Sequence, residues 1–313
     1  TLLGDRYQQM PAGEILPCGN GRSYGDSCLN SRGCVLSSAR LDNFIEFDAQ
    51  SGRICCEAGV TLAQIIEVAL PHGWFLPVTP GTKFVTVGGA IANDVHGKNH
   101  HVEGSFGCHV LRFELLRSDG SRLICSSSEN TELYCATIGG LGLTGMILWA
   151  ELALKRVANN AIDVETIKYR HLRNFFALSA ESDADYEYTV AWLDCLASGA
   201  RLGRGHFMRG NHAPPNAADM KRPSSQLMVP LTPPISLINH LTLKAFNQLY
   251  YHRQRIERKT ARVHYDPFFY PLDGVHHWNR IYGRRGFLQF QCAVPAQNSE
   301  DAITELLQRI GRA

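Results

Sequence analysis

The 313-residue chain carries almost no net charge: 31 Lys and Arg against 29 Asp and Glu leave +2. So balanced a surface has no broad field to draw in nucleic acid. The chain also lacks an apolar run long enough to span a bilayer, and it shows no secretory leader, although it begins at Thr1 and not at a methionine. Internal repeats are missing, which excludes solenoids and propellers. Ten cysteines are present, but none forms a C-x-x-C pair, so the usual zinc-ribbon and dithiol spacings are absent. Several sit in strand-like apolar runs such as Ile54-Cys-Cys-Glu57 and Leu123-Ile-Cys125. They read as buried free thiols of a reducing compartment, the cytoplasm. A hydrophobic content of 44% and a charged content of 19% are those of an ordinary globular protein, long enough here for two domains.

Short strands and helices alternate through the first half. Thr61-Leu-Ala-Gln64 is a capping-box pattern, and apolar Leu62, Ile65, Ile66, Ala69 and Leu70 predict a helix over 62–70, ended by Pro71 and Gly73. Val110–Leu116 and Leu123–Cys125 flank Ser118-Asp-Gly-Ser121, which predicts a hairpin with positive φ angles at Asp-Gly. A short helix at Glu132–Ala136 and a strand from Met146 to Leu154 follow. Glycine thins out beyond about 156, which sets the expected domain boundary: 1–155 and 156–313. The second half offers strands at Tyr188–Trp192 and Phe287–Val294, and a Pro- and Ser-rich mobile loop at 213–236. Leu237–Phe246 then leads into the basic run Arg253, Arg255, Arg258, Lys259 and Arg262, either a solvated helix face or a contact with a membrane surface or lipid phosphate.

Two glycine-rich runs carry the chemistry. One is Cys18-Gly-Asn-Gly-Arg-Ser-Tyr-Gly-Asp26; the other spans 80–107 and includes His96-Gly-Lys-Asn-His-His101. Neither has the period of an amphipathic helix or of a strand. Backbone with few side chains suits contact with a flat anionic ligand, so the pair suggests a dinucleotide held by loops. Known fingerprints fit poorly. Gly19 to Gly25 is spaced Gly-x-Gly-x-x-x-Gly, and Asn99 follows Gly97-Lys98 where a P-loop needs Ser or Thr for magnesium. His96, His100 and His101 read as hydrogen-bond donors to ligand oxygens or as plain loop residues; no Cys, Asp or Glu cluster nearby completes a zinc ligand set.

Together, Gly-x-Gly-Arg-Ser-Tyr-Gly-Asp, Pro80-Gly-Thr through Phe106-Gly107, and Gly139-Gly-Leu-Gly-Leu-Thr-Gly145 resemble the FAD-linked oxidoreductases of the vanillyl-alcohol oxidase superfamily. The likeness continues through Ala191–Asp194, Phe269–Asp273, Trp278–Gly283 and Gly286–Gln291. It implies an α+β fold, with a PCMH-type FAD-binding domain that is incomplete at its front and lacks its C-terminal return, and a truncated sheet-based substrate (cap) domain. Carried over by position, Pro17, Cys18, Gly19, Asn20, Gly21, Arg22, Ser23, Tyr24, Gly25, Asp26 and Ser27 would wrap the pyrophosphate. Gly81, Thr82, Thr86, Val87, Gly88, Gly89, Asn93, Asp94, Val95, His96, Asn99 and Ile147 would line the rest of the flavin. Arg22 stands where covalently flavinylated members have a histidine, so non-covalent FAD is expected.

The implied reaction is oxidation of a secondary hydroxyl on a sugar, above all the 2′-oxidation of a polyprenyl-phosphate-linked pentose that opens an epimerisation. Tyr24, His96 and Lys98 are the catalytic candidates. Trp192, Tyr282, Gln289 and Gln291 would meet the sugar, although Trp192 reads equally well as core, and Gln289 and Gln291 would share a strand face. The resemblance further implies an NAD-dependent partner reductase, while the apolar and basic residues of Leu237–Arg262 offer peripheral membrane contact. A soluble sugar or alditol oxidase using oxygen, and a non-catalytic flavin-binding fragment, are the competing readings. No metal is expected.

Overall fold

In the computed structural model, residues 13–222 and 227–312 are described, and the chain divides between Asn160 and Ala161. In the first unit β1 (Ile15–Cys18) and β2 (Cys34–Ser37) form a parallel pair. β3 (Phe44–Asp48) and β4 (Arg53–Glu57) begin the main sheet. The Asp48 carboxylate closes their turn, accepting from Gln50 N (2.8 Å) and from Ser51 Oγ (2.6 Å). Ile54 and Cys56 alternate into the core along β4, as period two requires.

The expected helix forms as α1 (Leu62–Ala69). Thr61 Oγ1 accepts from Gln64 N, while Gln64 Oε1 accepts from Thr61 N at 2.9 Å, so both halves of the capping box are present. Leu62, Ile65, Ile66 and Ala69 bury its inner face. Pro71 opens a single 3₁₀ turn, and Gly73 at φ +78° ends it in a conformation few other residues tolerate. Short strand β5 (Trp74–Phe75), α2 (Val87–Ala92) and α3 (His100–Glu103) lead to the hairpin of β6 (Val110–Leu116) and β7 (Arg122–Ser126). At its turn only Gly120 has a positive φ (+84°). The expected pair of positive angles is replaced by an Asp119 carboxylate accepting from Ser121 N (2.8 Å) and Ser121 Oγ (2.6 Å). After α4 (Thr131–Thr137), β8 (Met146–Ala153) takes the centre of the antiparallel sheet, in the order β3-β4-β8-β6-β7. β9 (Lys155–Arg156) pairs back onto β5, which keeps residues just past 155 with the first unit.

The second unit is built on β10 (Ala161–Tyr169), α5 (Leu172–Ser182), β11 (Tyr188–Leu193) and β12 (Gly205–His212). β13 (Leu227–Met228), α6 (His240–His252), β14 (Arg258–His264), α7 (Tyr265–Phe269), β15 (Val275–His276) and α8 (Ser299–Ile310) follow. Four antiparallel strands run in the order β11-β12-β10-β14. Ile167, Tyr169 and Phe207 pack with Leu178 and Phe175 of α5 on one face. α6 is tied to β10 from its C-terminal end, where Tyr251 Oη donates to Tyr169 O (3.2 Å) and Gln254 Nε2 to Thr166 O (3.0 Å).

Two expectations are corrected here. The basic run is no single helix face: Arg253 follows α6, whereas Arg258, Lys259 and Arg262 lie on β14. Arg262 pairs with Asp163 and Arg258 with Glu165, both across the ladder on β10. Phe287–Val294 joins no sheet among the described residues. It pairs with neither edge of the sheet, β11 or β14, and an unpaired strand is not stable in water. Phe287 stacks instead on Tyr282, with ring centroids 4.4 Å apart. Within 213–236, the described part contains β13, paired in parallel with β15.

Candidate cofactor and active site

Three glycine-bearing segments, far apart in sequence, converge in the first unit. Gly19, just after β1, lies against Thr86, the N-cap of α2, and Asn20 Nδ2 donates to Phe84 O at 3.1 Å. The Arg22 guanidinium and the Lys83 ammonium each stand 5.9 Å from the centre of the Phe84 ring. The third segment closes on the second: Gly139 N donates to Ile91 O (3.0 Å) and Leu141 N to Ala92 O (2.8 Å). Gly142 lies beside Pro17, where even a Cβ would touch Pro17 Cδ at 3.4 Å. Asp94, at φ +41°, accepts from Gly107 N at 2.8 Å and so folds the 94–107 loop back on itself.

This surface suits a dinucleotide. Gly21 (φ +59°), Gly25 (φ +75°) and Gly81 are positions where a Cβ would stand in open space, so bare backbone faces outward there. Tyr24 is half exposed beside them. Cys18, Ser23, Asp26 and Ser27 lie in or next to the same loop. Burial, with Cys28 beside it, raises the Cys18 thiol above its usual value, which keeps it protonated.

The amides at the start of α2 are already engaged. Val87 N donates to Val60 O, Gly88 N to Ala58 O and Gly89 N to Thr86 Oγ1, at 2.8, 2.8 and 3.2 Å. The Val87 side chain is fully buried, and Gly88 packs against Ala58. Close approach of the backbone, not donation from these three N–H groups, is what the α2 start offers a ligand. Asn93 Nδ2 caps the other end by donating to Gly89 O (2.9 Å). Thr82 Oγ1 accepts from Phe84 N, and Ile147 is buried in β8. Asn99 is also buried and donates to Pro77 O at 2.8 Å, which fixes the Gly97-Lys98 turn.

Val95 bonds Ala90 and Phe106 through its backbone, and the next residue, His96, forms a β-bridge with Ser105. The His96 side chain is exposed. Desolvation lowers the Lys98 amine to about 8, near enough to neutrality to exchange a proton. His100 and His101 fall on α3, and no group of three or more metal-ligating side chains occurs among the described residues.

In the second unit, Trp192 on β11 is half-buried against Tyr250 and His206, with ring centroids 4.6 and 5.9 Å away. Tyr282 lies in a 3₁₀ turn, and Gln289 and Gln291 are exposed in a segment outside any strand, so no shared strand face presents them. The sequence reading missed Phe84, which ties the two runs together. Its only sequence signal was an aromatic inside a glycine-rich stretch that has no core periodicity.

A family profile described as an FAD binding domain matches residues 11–126. Decaprenylphosphoryl-beta-D-ribose oxidase of Mycolicibacterium smegmatis is 36% identical over 309 residues, covering 95% of this chain and 67% of its own length. The chain belongs to the FAD-linked oxidoreductases of the vanillyl-alcohol oxidase superfamily. An uncharacterised Streptomyces coelicolor protein is 37% identical over 266 residues, 80% of this chain and 71% of that protein. Delta(24)-sterol reductase of Homo sapiens shares 32% identity over 114 residues, 36% of this chain and 22% of the reductase. As a member of this superfamily the chain is an FAD-dependent oxidoreductase, and its fold is the α+β arrangement expected of one.

Proposed function

We propose that this oxidoreductase oxidises a secondary hydroxyl of a pentose carried on a polyprenyl phosphate. One observation carries the reading: similarity to the Mycolicibacterium smegmatis oxidase runs through both units, 309 residues in all, whereas that to the sterol reductase covers only 114. A likeness confined to the cofactor domain would speak for FAD alone. One that extends over the sheet of the second unit also speaks for the kind of molecule being oxidised.

When bound, FAD supplies a hydride acceptor for the carbinol carbon. The chain's own task is to orient that carbon and take up the hydroxyl proton. We assign the proton to His96 and Lys98. They are two residues apart on a loop fixed by the Asn99–Pro77 and Asp94–Gly107 hydrogen bonds, and Lys98 is already tuned toward neutrality. Tyr24 is assigned to positioning beside the Gly21–Gly25 turn, and Trp192 to a sugar face. Arg22 has no nucleophilic nitrogen to offer a flavin methyl, so the cofactor is held without a covalent link, and acid precipitation should release all of it.

His96→Ala should slow anaerobic flavin reduction far more than it lowers flavin content; equal losses of both would make His96 scaffolding. Turnover on polyprenyl-phosphate pentose and not on free pentoses or alditols is the expected result. Oxygen-dependent turnover of free sugar would favour a soluble sugar oxidase, and a bound flavin that no alcohol bleaches would favour a binding fragment.

A further inference from the structure

α3 is too short to hold itself in place. It is four residues long, its N-cap Asn99 makes no side-chain capping bond, and none of its residues is buried. His100, His101 and Val102 are exposed; Glu103 alone is half-buried. Glu103 Oε1 accepts from Lys155 Nζ at 2.7 Å, and the Glu103 carbonyl oxygen accepts from His109 Nε2 at 3.0 Å. The other carboxylate oxygen stands 3.7 Å from the same imidazole nitrogen. A turn with no apolar anchor is thus tied down through one acidic residue.

The other end of the tie is fixed. Lys155 lies on β9, opposite Phe75 of β5. Asn99, four positions before Glu103 and so on the same side of the turn, donates to Pro77 O, just past the end of β5. Both ties therefore run to one two-stranded ribbon. Between them and the sheet, Gly104 at φ +72° turns the chain back, and the bridge from His96 to Ser105 closes the loop. The Lys155 and Glu103 side chains stay 26% and 22% exposed, so their pairing adds little to stability. What it fixes is place.

We propose that Glu103 is a positioning residue: paired with Lys155, it seats the 96–104 loop on the β5–β9 ribbon and so fixes where Lys98 and His96 stand, a role that presupposes proton uptake by that loop. A charge-assisted bond is short and directional, which suits a single point of attachment. With the Glu103 tie gone, the turn pivots about Asn99. Lys98, next to that pivot, then regains water and loses the placement within hydrogen-bond reach that proton transfer requires. Glu103 acts through the loop and not on the substrate.

Acetic anhydride labelling of the full chain, read by mass spectrometry at each lysine, tests this without any substrate. Glu103→Ala and Lys155→Met should each raise the labelling rate at Lys98 by about fivefold, with the other lysines and the melting temperature unchanged. The swapped pair Glu103→Lys, Lys155→Glu should bring Lys98 back toward the wild-type rate. With FAD loaded, both single variants should keep the flavin yet slow its reduction by polyprenyl-phosphate pentose about tenfold, and the swap should recover the rate. Labelling at Lys98 unchanged in both single variants, or raised across all lysines alike, would overturn the inference. Faster labelling with an unaltered reduction rate would uphold the seating by Glu103 and take Lys98 and His96 out of proton uptake, so the two readings fail separately.

Discussion

Gly19 and Thr86 touch across 66 intervening positions of sequence: a Cβ on Gly19 would stand 2.3 Å from Thr86 Oγ1. The same oxygen accepts from Gly89 N at 3.2 Å, so one threonine both caps α2 and seats the first glycine-rich loop. Gly19→Ala must push Thr86 aside. We expect a stability loss of about 1–3 kcal/mol, the usual cost of overpacking, together with a fall in FAD per protein. Flavin absorbance after gel filtration checks it, and an unchanged ratio would detach this loop from cofactor binding.

Lys98 gives a pH signature. Its amine is lowered by burial from 10.5 to about 8 in the folded chain. Below about 8 it is protonated in both folded and unfolded states, and the cost of burying the charge is borne in full. Between about 8 and 10.5 the folded state has shed a proton that the unfolded chain keeps, so stability rises with pH. Urea midpoints of the flavin-free chain should climb through that window, and Lys98→Met should flatten the climb. A variant with the wild-type slope would show that the amine is solvated.

Asp194 and Arg204 form a buried pair on the second unit, with Arg204 Nη2 2.7 Å and Nε 2.9 Å from Asp194 Oδ2. Asn247 Nδ2 of α6 donates to the other oxygen at 2.8 Å. Asp194→Ala strands a buried guanidinium and should cost about 3–5 kcal/mol. Asp194→Asn keeps an acceptor and should cost less. Chemical denaturation distinguishes them, and equal losses would mean the charge is immaterial.

Thr61→Ala removes one half of the α1 capping box and should destabilise by about 1 kcal/mol. FAD content should stay constant, because the backbone bridge from Thr61 to Thr86 and the Leu62 N–Val85 O bond do not need the hydroxyl. A parallel fall in flavin would link α1 to the site.

The α1 helix, the β6–β7 hairpin, α4, β8 and β11 were legible because each is specified locally, by a cap, a turn or an apolar period. The glycine-rich segments stood out for a different reason: glycine and histidine runs with no core periodicity mark backbone not committed to packing. Phe287–Val294 misled because strand propensity is only half of a strand; the other half is a partner, and the segment pairs with neither β11 nor β14, the edges of its unit's sheet. The basic run misled in a similar way, since the β10–β14 ladder sets Arg262 against Asp163 and brings Arg258, itself opposite Ile167, diagonally to Glu165, and no local pattern encodes that pairing.

By itself, then, the sequence determined the local elements, the cofactor class and the family, because caps, turns and glycine-rich runs act over a few residues. Only the tertiary structure decided that Gly19 rests on Thr86, that the α2 amides are spent on Val60, Ala58 and Thr86, and that α6 leaves Leu241 and Leu249 exposed. Those outcomes depend on contacts between residues tens of positions apart, where packing and hydrogen-bond satisfaction, not local preference, choose the partner.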